Sequence, residues 1–214
     1  MDADEYLNSK PKEVKKLIGQ LSKEVSGIQI KRKIIFQEKE INYGGWYPKW
    51  NLRFLRNGFG ECENKWMDEH IILKKGVSIK LDIDIVDHNL NSLDWWLTKH
   101  ISYANREAIN YFISTGDNKT VKPNIFGNKT EKLRWMKEKY KSLPLFLRPF
   151  FVFTSRYFFK AGFLDGRRGF IWHVLQGFWY RFLVDVKIFE IKRKFKHDKE
   201  KITAYIKQNY QIKD

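Results

Sequence analysis

Gly27-Ile28-Gln29-Ile30-Lys31-Arg32-Lys33-Ile34-Ile35-Phe36-Gln37-Glu38-Lys39-Glu40-Ile41 decides the fold class. Apolar residues alternate with polar ones through much of it, and isoleucine dominates the apolar positions. Period two with β-branched enrichment predicts a strand with one buried face. The preceding stretch reads differently. Val14, Leu17, Ile18, Leu21 and Val25 form one stripe at helical spacing among lysines. This predicts an amphipathic helix over Lys10 to Val25, capped by Asn8 or Ser9, with Pro11 in its first turn and Gly27 ending it.

Outward toward the C-terminus, Tyr43-Gly44-Gly45-Trp46-Tyr47-Pro48 reads as a turn, and Trp50 to Arg56 as a second strand. Further strands are expected over Glu61 to Ile72 and Val77 to Val86. The period then changes to that of a helix from Leu93 to Phe112, behind Asn91 or Ser92. Thr115 to Thr130 is rich in Gly, Asn, Lys and Asp and reads as a loop, followed by a helix ending before Pro144. Strands followed by helices make the class α/β. The expected division is an α/β domain over residues 1–115, a connecting loop and helix over 116–142, and a helical extension over 143–214.

The 214 residues carry 41 Lys and Arg against 25 Asp and Glu, a formal net charge of +16. Such a balance suits an anionic partner: nucleic acid, a phospholipid surface or a phosphorylated substrate. The one cysteine, Cys62, excludes an intrachain disulfide and a cysteine-based zinc site, which favours a reducing compartment. Residues 1–20 hold no apolar segment of the signal-peptide kind.

Several constellations carry chemistry. Asp2 and Asp4, in Met1-Asp2-Ala3-Asp4-Glu5, can both turn toward one hard cation, Mg2+ or Mn2+, although an acidic N-terminus is also a common solvated tail. Arg53 and Arg56 lie three apart on a predicted strand and so face opposite sides. Guanidinium groups recognise phosphate and carboxylate well, and salt bridges to nearby glutamates are the alternative. Asp68-Glu69-His70 is flanked by apolar residues, where a carboxylate can serve as a general base; a solvated strand end is the plainer reading. His88 closes a predicted strand and can ligate a metal or donate to phosphate. Trp46, Tyr47 and Trp50 can stack on a sugar or pack in a core.

The C-terminal third holds 14 of the chain's 35 aromatic residues between Leu143 and Phe182. Arg148, Arg156, Arg167 and Arg168 are interleaved with Phe170, Trp172, Phe178 and Trp179. A wide apolar stripe with basic flanks predicts a helix lying in the headgroup plane of an anionic membrane, with core packing the competing role. The pattern holds no recognition helix or zinc motif, so nucleic acid is not the expected partner.

Taken in order, these residues resemble the bacterial family 2 glycosyltransferases of the GT-A fold that build lipopolysaccharide, capsule and exopolysaccharide. "MDADEYL" resembles the family's Asp-x-Asp segment, "YPKWNLRFLRNG" its aromatic-Pro-x-Trp-x-x-Arg strand, and "WMDEH" its acid-Glu-His triplet. "DHNLNSLDWWLTKHISYANREA" is similar to its His loop and following helix, and "FLDGRRGFIWHVLQGFWYRFLVDVK" to its membrane-associated C-terminal segment. The resemblance implies that Asp2 and Asp4 hold Mn2+ or Mg2+ on the diphosphate of a nucleotide-sugar donor. Glu69 is then the catalytic base for the acceptor hydroxyl, with Asp68 its alternative. Trp50, Arg53, Arg56 and His88 contact donor or acceptor, a lipid-linked saccharide or lipopolysaccharide. The chain then works peripherally on the cytoplasmic face of the bacterial plasma membrane. It also implies a Rossmann-like nucleotide-binding half before Asp2, so the expectation is the second half of a split enzyme completed by a separate chain, the product of a disrupted gene, or a mis-assigned start. An inactive basic membrane module is the alternative function.

Overall fold

The computed structural model describes residues 5–62, 71–113, 126, 135–136 and 139–210. It is a mixed α/β structure in two compact units. One takes in Met1–Trp96 and Thr154–Val174, the other Leu97–Phe153 and Leu175–Asp214.

The first unit is built on a mixed sheet. Its strands are β1 (Glu5–Leu7), β2 (Val25–Phe36), β3 (Lys39–Ile41), β4 (Lys49–Leu55) and β7 (Val77–His88). Their order is β1-β7-β2-β3, with β4 also paired to β2. β2 and β7 run parallel and every other pair is antiparallel. Two short strands, β5 (Gly60–Cys62) and β6 (Ile71–Leu73), form a separate antiparallel ribbon. Helix α1 (Pro11–Gly19) lays Val14 on Ile83 and Ile85 and on Ile28 and Ile30, the last two being isoleucines of the alternating stretch.

Three expectations change in detail. α1 stops at Gly19 rather than Val25, and it begins on Lys10 with Pro11 in the first turn and no side-chain cap. The residues beyond are needed for β2, and Gly27 lies inside that strand. A Cβ on Gly27 would come 2.9 Å from Leu52 Cδ1, so its smallness serves close strand packing instead of ending a helix. The long strand expected through Ile41 folds back on itself. Gln37 and Glu38 both take positive φ (47° and 61°), the backbone of a two-residue hairpin, and pair Phe36 with Lys39. No Asn-Gly marks that turn in the sequence. The strand expected over Glu61 to Ile72 is described only at its ends, as β5 and β6.

The second unit is helical. Helix α2 (Leu93–Ile113) gives it Ala104, Ala108 and Ile109. The two alanines pack against Tyr180, Val184 and Ile188 of α5 (Tyr180–Lys194), and Ile109 against Ile202 and Ile206 of α6 (Lys199–Tyr210). α3 (Arg148–Thr154) contributes Arg148, which is 2% exposed and whose guanidinium lies over the rings of Tyr140 and Tyr111, 4.9 and 5.8 Å from their centroids.

After α3 the chain makes a π-helical turn (Ser155–Phe159), a 3-10 turn (Gly162–Asp165) and α4 (Gly166–Trp172). Sequence placed all of this in the C-terminal extension, but Thr154–Val174 clusters with the sheet. Trp172 explains why: it is 6% exposed, within 5.1 to 6.0 Å of the rings of Phe36, Trp46 and Trp96. No helix among the described residues is long and apolar enough to cross a membrane.

Candidate active site

The candidate site lies where β1 begins and β7 ends. The two strands pair antiparallel with Glu5 opposite Asp87, so both carboxylates share one face of the sheet. Each has an arginine. Arg53 of β4 donates from Nη2 to Glu5 Oε1 at 2.6 Å, and Glu5 is buried. Arg32 of β2 is bonded to Asp87 Oδ2. His88 follows Asp87, half-buried, with Nε2 3.5 Å from Glu38 Oε1. The Nε atoms of Arg32 and Arg53 are buried and have no hydrogen-bond partner among the described residues. Asp2 and Asp4 lie outside the described residues, as do Asp68 and Glu69.

Arg53 and Arg56 diverge, as strand geometry predicts for positions three apart. Arg53 turns inward to Glu5. Arg56, one residue beyond β4, is exposed; its backbone N–H donates to Ser26 O at 2.9 Å and its Nη2 to Val25 O at 3.3 Å. Trp50 is half-buried on β4, with Lys80 Nζ 5.2 Å from its ring centroid.

A second charged group surrounds Tyr47. Its hydroxyl donates to Asp84 Oδ1 at 3.0 Å, and the Nζ atoms of Lys31 and Lys33 stand 5.4 and 5.5 Å from its ring centroid. Lys31 is paired with Asp82 and lies 3.4 Å from Asp84; Lys33 reaches Glu40 at 3.2 Å and Asp84 at 3.5 Å. The Asp82 carboxylate, with help from Tyr47, pushes the Lys31 ammonium up from its ordinary value. Partial burial works against the charged form of Lys33, but Glu40 and Asp84 outweigh it and raise that group too.

The loop that presents Tyr47 is held from beneath by the chain between Thr154 and Val174. Asp165, 2% exposed, accepts the backbone N–H of Asn42 on Oδ1 at 3.1 Å and that of Tyr43 on Oδ2 at 3.0 Å. Gly44 donates its N–H to Lys160 O at 2.9 Å. His173, fully buried, lies against Gly44 and Gly162; a Cβ on those glycines would come 2.0 and 2.5 Å from its ring. Arg156 stands over Trp46, 4.3 Å from the ring centroid. Burial pulls His173 down to about 4, and although Asp165 opposes and Arg156 assists, the ring is neutral near pH 7.

The residues assigned to a lipid surface fall into different settings. Arg167, Arg168 and Phe170 are exposed, and Arg156, Phe178 and Trp179 are half-buried. Trp172 and Arg148 are interior, so neither side chain is available to a membrane; Arg148 is spent on Asp185. The same segment exposes Phe158 (57%), Phe159 (85%) and Phe163 (48%), and Phe163 lines one surface depression with Tyr157, Phe170 and Arg167.

Glu5, Arg32, Asp87, Asp165 and His173 are the residues that sequence reasoning missed. One signal was present: Asp165 is the single carboxylate between Leu143 and Phe182, in a stretch otherwise basic and aromatic. Among the described residues no group of three or more His, Cys, Asp or Glu side chains is arranged to hold a metal ion. Compared with family models, curated proteins and solved structures, the chain matches none.

Proposed function

We propose that the chain is a family 2, GT-A-type glycosyltransferase, or the acceptor-side part of one. It transfers a sugar from a nucleotide-sugar donor to a lipid-linked saccharide or lipopolysaccharide at the inner face of a bacterial plasma membrane. The observation that carries this reading is the pairing of β1 with β7. It aligns Glu5, directly after Asp2-Ala3-Asp4, with Asp87, directly before His88. Glu5 and Asp87, the sequence neighbours of that acidic segment and that histidine, thereby meet at one end of one sheet.

In this reading Asp2 and Asp4 hold Mn2+ or Mg2+; two carboxylates suit a hard divalent cation, which supplies charge neutralisation on a departing diphosphate. Glu69, or Asp68 in its place, takes the proton of the acceptor hydroxyl. The acceptor oxygen forms a bond to the anomeric carbon as the bond to the nucleoside diphosphate breaks, inverting that centre. Arg53 braces Glu5, the residue that follows the acidic segment in sequence, and Trp46, Tyr47 and Trp50 offer faces for the acceptor sugar.

The test is transfer of radiolabel from nucleotide-sugar donors to lipopolysaccharide or lipid-linked acceptor in the presence of Mn2+. It is run with the chain alone and with a nucleotide-binding half of the same family. The expected result is Mn2+-dependent transfer that Glu69→Gln lowers about 10²- to 10⁴-fold without changing donor affinity. Normal turnover in that variant removes the base assignment.

A second reading, a peripheral membrane module without transferase activity, is favoured by the exposed Phe158, Phe159 and Phe163 in the same segment as the exposed Arg167 and Arg168. Absence of transfer in every configuration, with flotation on anionic vesicles retained, selects it.

A further inference from the structure

Resting on the transferase reading above, we infer that Asp165 is a positioning residue, setting the shape of the loop from Asn42 to Pro48 and hence the acceptor-binding aromatics Trp46 and Tyr47.

The inference stands on how much converges there. Both carboxylate oxygens of Asp165 are used, one on the N–H of Asn42 and one on that of Tyr43. A buried carboxylate that accepts two backbone donors makes charge-assisted bonds, stronger than neutral ones, and they orient two consecutive peptide units. The next residue, Gly44, has φ of +71° and room only for a hydrogen, since His173 fills the place of a Cβ. Beyond it Trp46 is bracketed by Arg156 on its face and Trp172 at its edge. Tyr47 is then bonded to Asp84. Thus Asn42, Tyr43, Gly44 and Trp46 are held by the segment from Thr154 to Val174 and Tyr47 by β7, and Asp165 supplies acceptors to two consecutive backbone donors. Gly169 allows this carboxylate its depth, because a Cβ there would come 2.1 Å from Asp165 Cβ.

A group buried only for stability would affect the whole unit alike. A positioning group alters the loop and the ligand it presents aromatics to, and leaves the sheet intact. Asp165→Asn distinguishes the two, since its amide keeps one acceptor oxygen and turns an NH2 toward the other N–H.

The experiment has two arms on the full chain. Hydrogen exchange followed by mass spectrometry is expected to show faster exchange, by about tenfold or more, across residues 42–46, with β2 and β7 protected as in the parent. In the transfer assay the acceptor KM rises about tenfold, as the competent loop population falls, while donor KM and kcat at saturating acceptor stay unchanged. Should Asp165→Asn fail to fold, Asp165→Glu is the substitute: it keeps the charge but moves both oxygens by one methylene from the N–H groups of Asn42 and Tyr43, with the same split expected. Unchanged exchange at 42–46, or equal changes in both KM values, overturns the inference. No transfer by the parent protein overturns it also, by removing the reaction on which it rests; transfer by the parent with an unaltered acceptor KM in the variant overturns the inference alone.

Discussion

Asp185→Ala is the substitution expected to damage the helical unit most. Asp185 is fully buried, and its two oxygens serve three donors. Oδ1 accepts Nε of Arg148 at 2.7 Å together with Nη2 of the same residue; Oδ2 accepts the N–H of Phe146 at 2.8 Å. Phe146 has φ of 70°, an uncommon conformation for an aromatic residue that this bond helps to hold. Removing the carboxylate leaves the Arg148 side chain, 3% exposed, without the anion that pairs with it. Breaking a buried pair from one side costs about 3–5 kcal/mol, out of a total stability of roughly 5–15 kcal/mol. For a chain of this length that is a fall in Tm of about 6–20 °C. Urea unfolding followed by far-ultraviolet circular dichroism measures it, with thermal unfolding as the second probe. The double variant Arg148→Met, Asp185→Leu is expected to recover much of the loss, because an apolar pair of similar volume has no charge to strand. A cost below about 1 kcal/mol for Asp185→Ala, or a double variant no better than the single, refutes the reasoning.

Three further outcomes follow from the sheet unit. His173 is held near 4 when folded, below its ordinary 6.5, so between those values the unfolded chain binds a proton that the folded chain refuses. Stability is therefore fully present above about 6.5 and is lost as pH falls toward 4. Urea midpoints across that window should slope more steeply for the parent than for His173→Gln, and equal slopes refute the assignment. Gly44→Ala should destabilise through its positive φ and through the contact with His173, each worth about 1–3 kcal/mol. A midpoint unchanged in urea would show that the loop is not held as described. Phe158→Ser with Phe159→Ser should weaken binding to phosphatidylglycerol vesicles by about 10- to 100-fold per phenylalanine, read by flotation, with Tm nearly unchanged since both rings are exposed. Equal flotation of the double variant and the parent removes this surface from membrane contact.

The elements most legible in the sequence are those whose burial follows from local period. The isoleucines at 28 and 30 and at 83 and 85 alternate because one face of each strand meets α1, and α2 starts and stops within a residue of its periodic stretch. What was not legible depends on partners distant in the chain. The fate of Glu5 and Asp87 rests on a register between strands some 80 residues apart, and no local pattern encodes it. The hairpin at Gln37 and Glu38 escaped for a different reason: two long polar residues took positive φ where glycine or asparagine is the usual signal.

The C-terminal third shows the limit of period-based reading in one residue pair. Phe170 and Trp172 are two apart, aromatic, and embedded in the same basic stretch, so composition treats them alike. On a helix, positions two apart differ by about 200° and face opposite ways. Phe170 is 46% exposed, whereas Trp172 is enclosed by Phe36, Trp46 and Trp96. The aromatic excess therefore divides between two demands, an interior that holds the glycine loop and an exterior available to lipid. A substitution series along α4 should separate them: Trp172→Ala should cost stability on the scale of a core truncation, about 3–5 kcal/mol, while Phe170→Ala should leave the urea midpoint nearly unchanged and lower vesicle binding. If both variants lost stability equally, the exposed face of α4 would have to be covered by protein, and the membrane role assigned to it would fall.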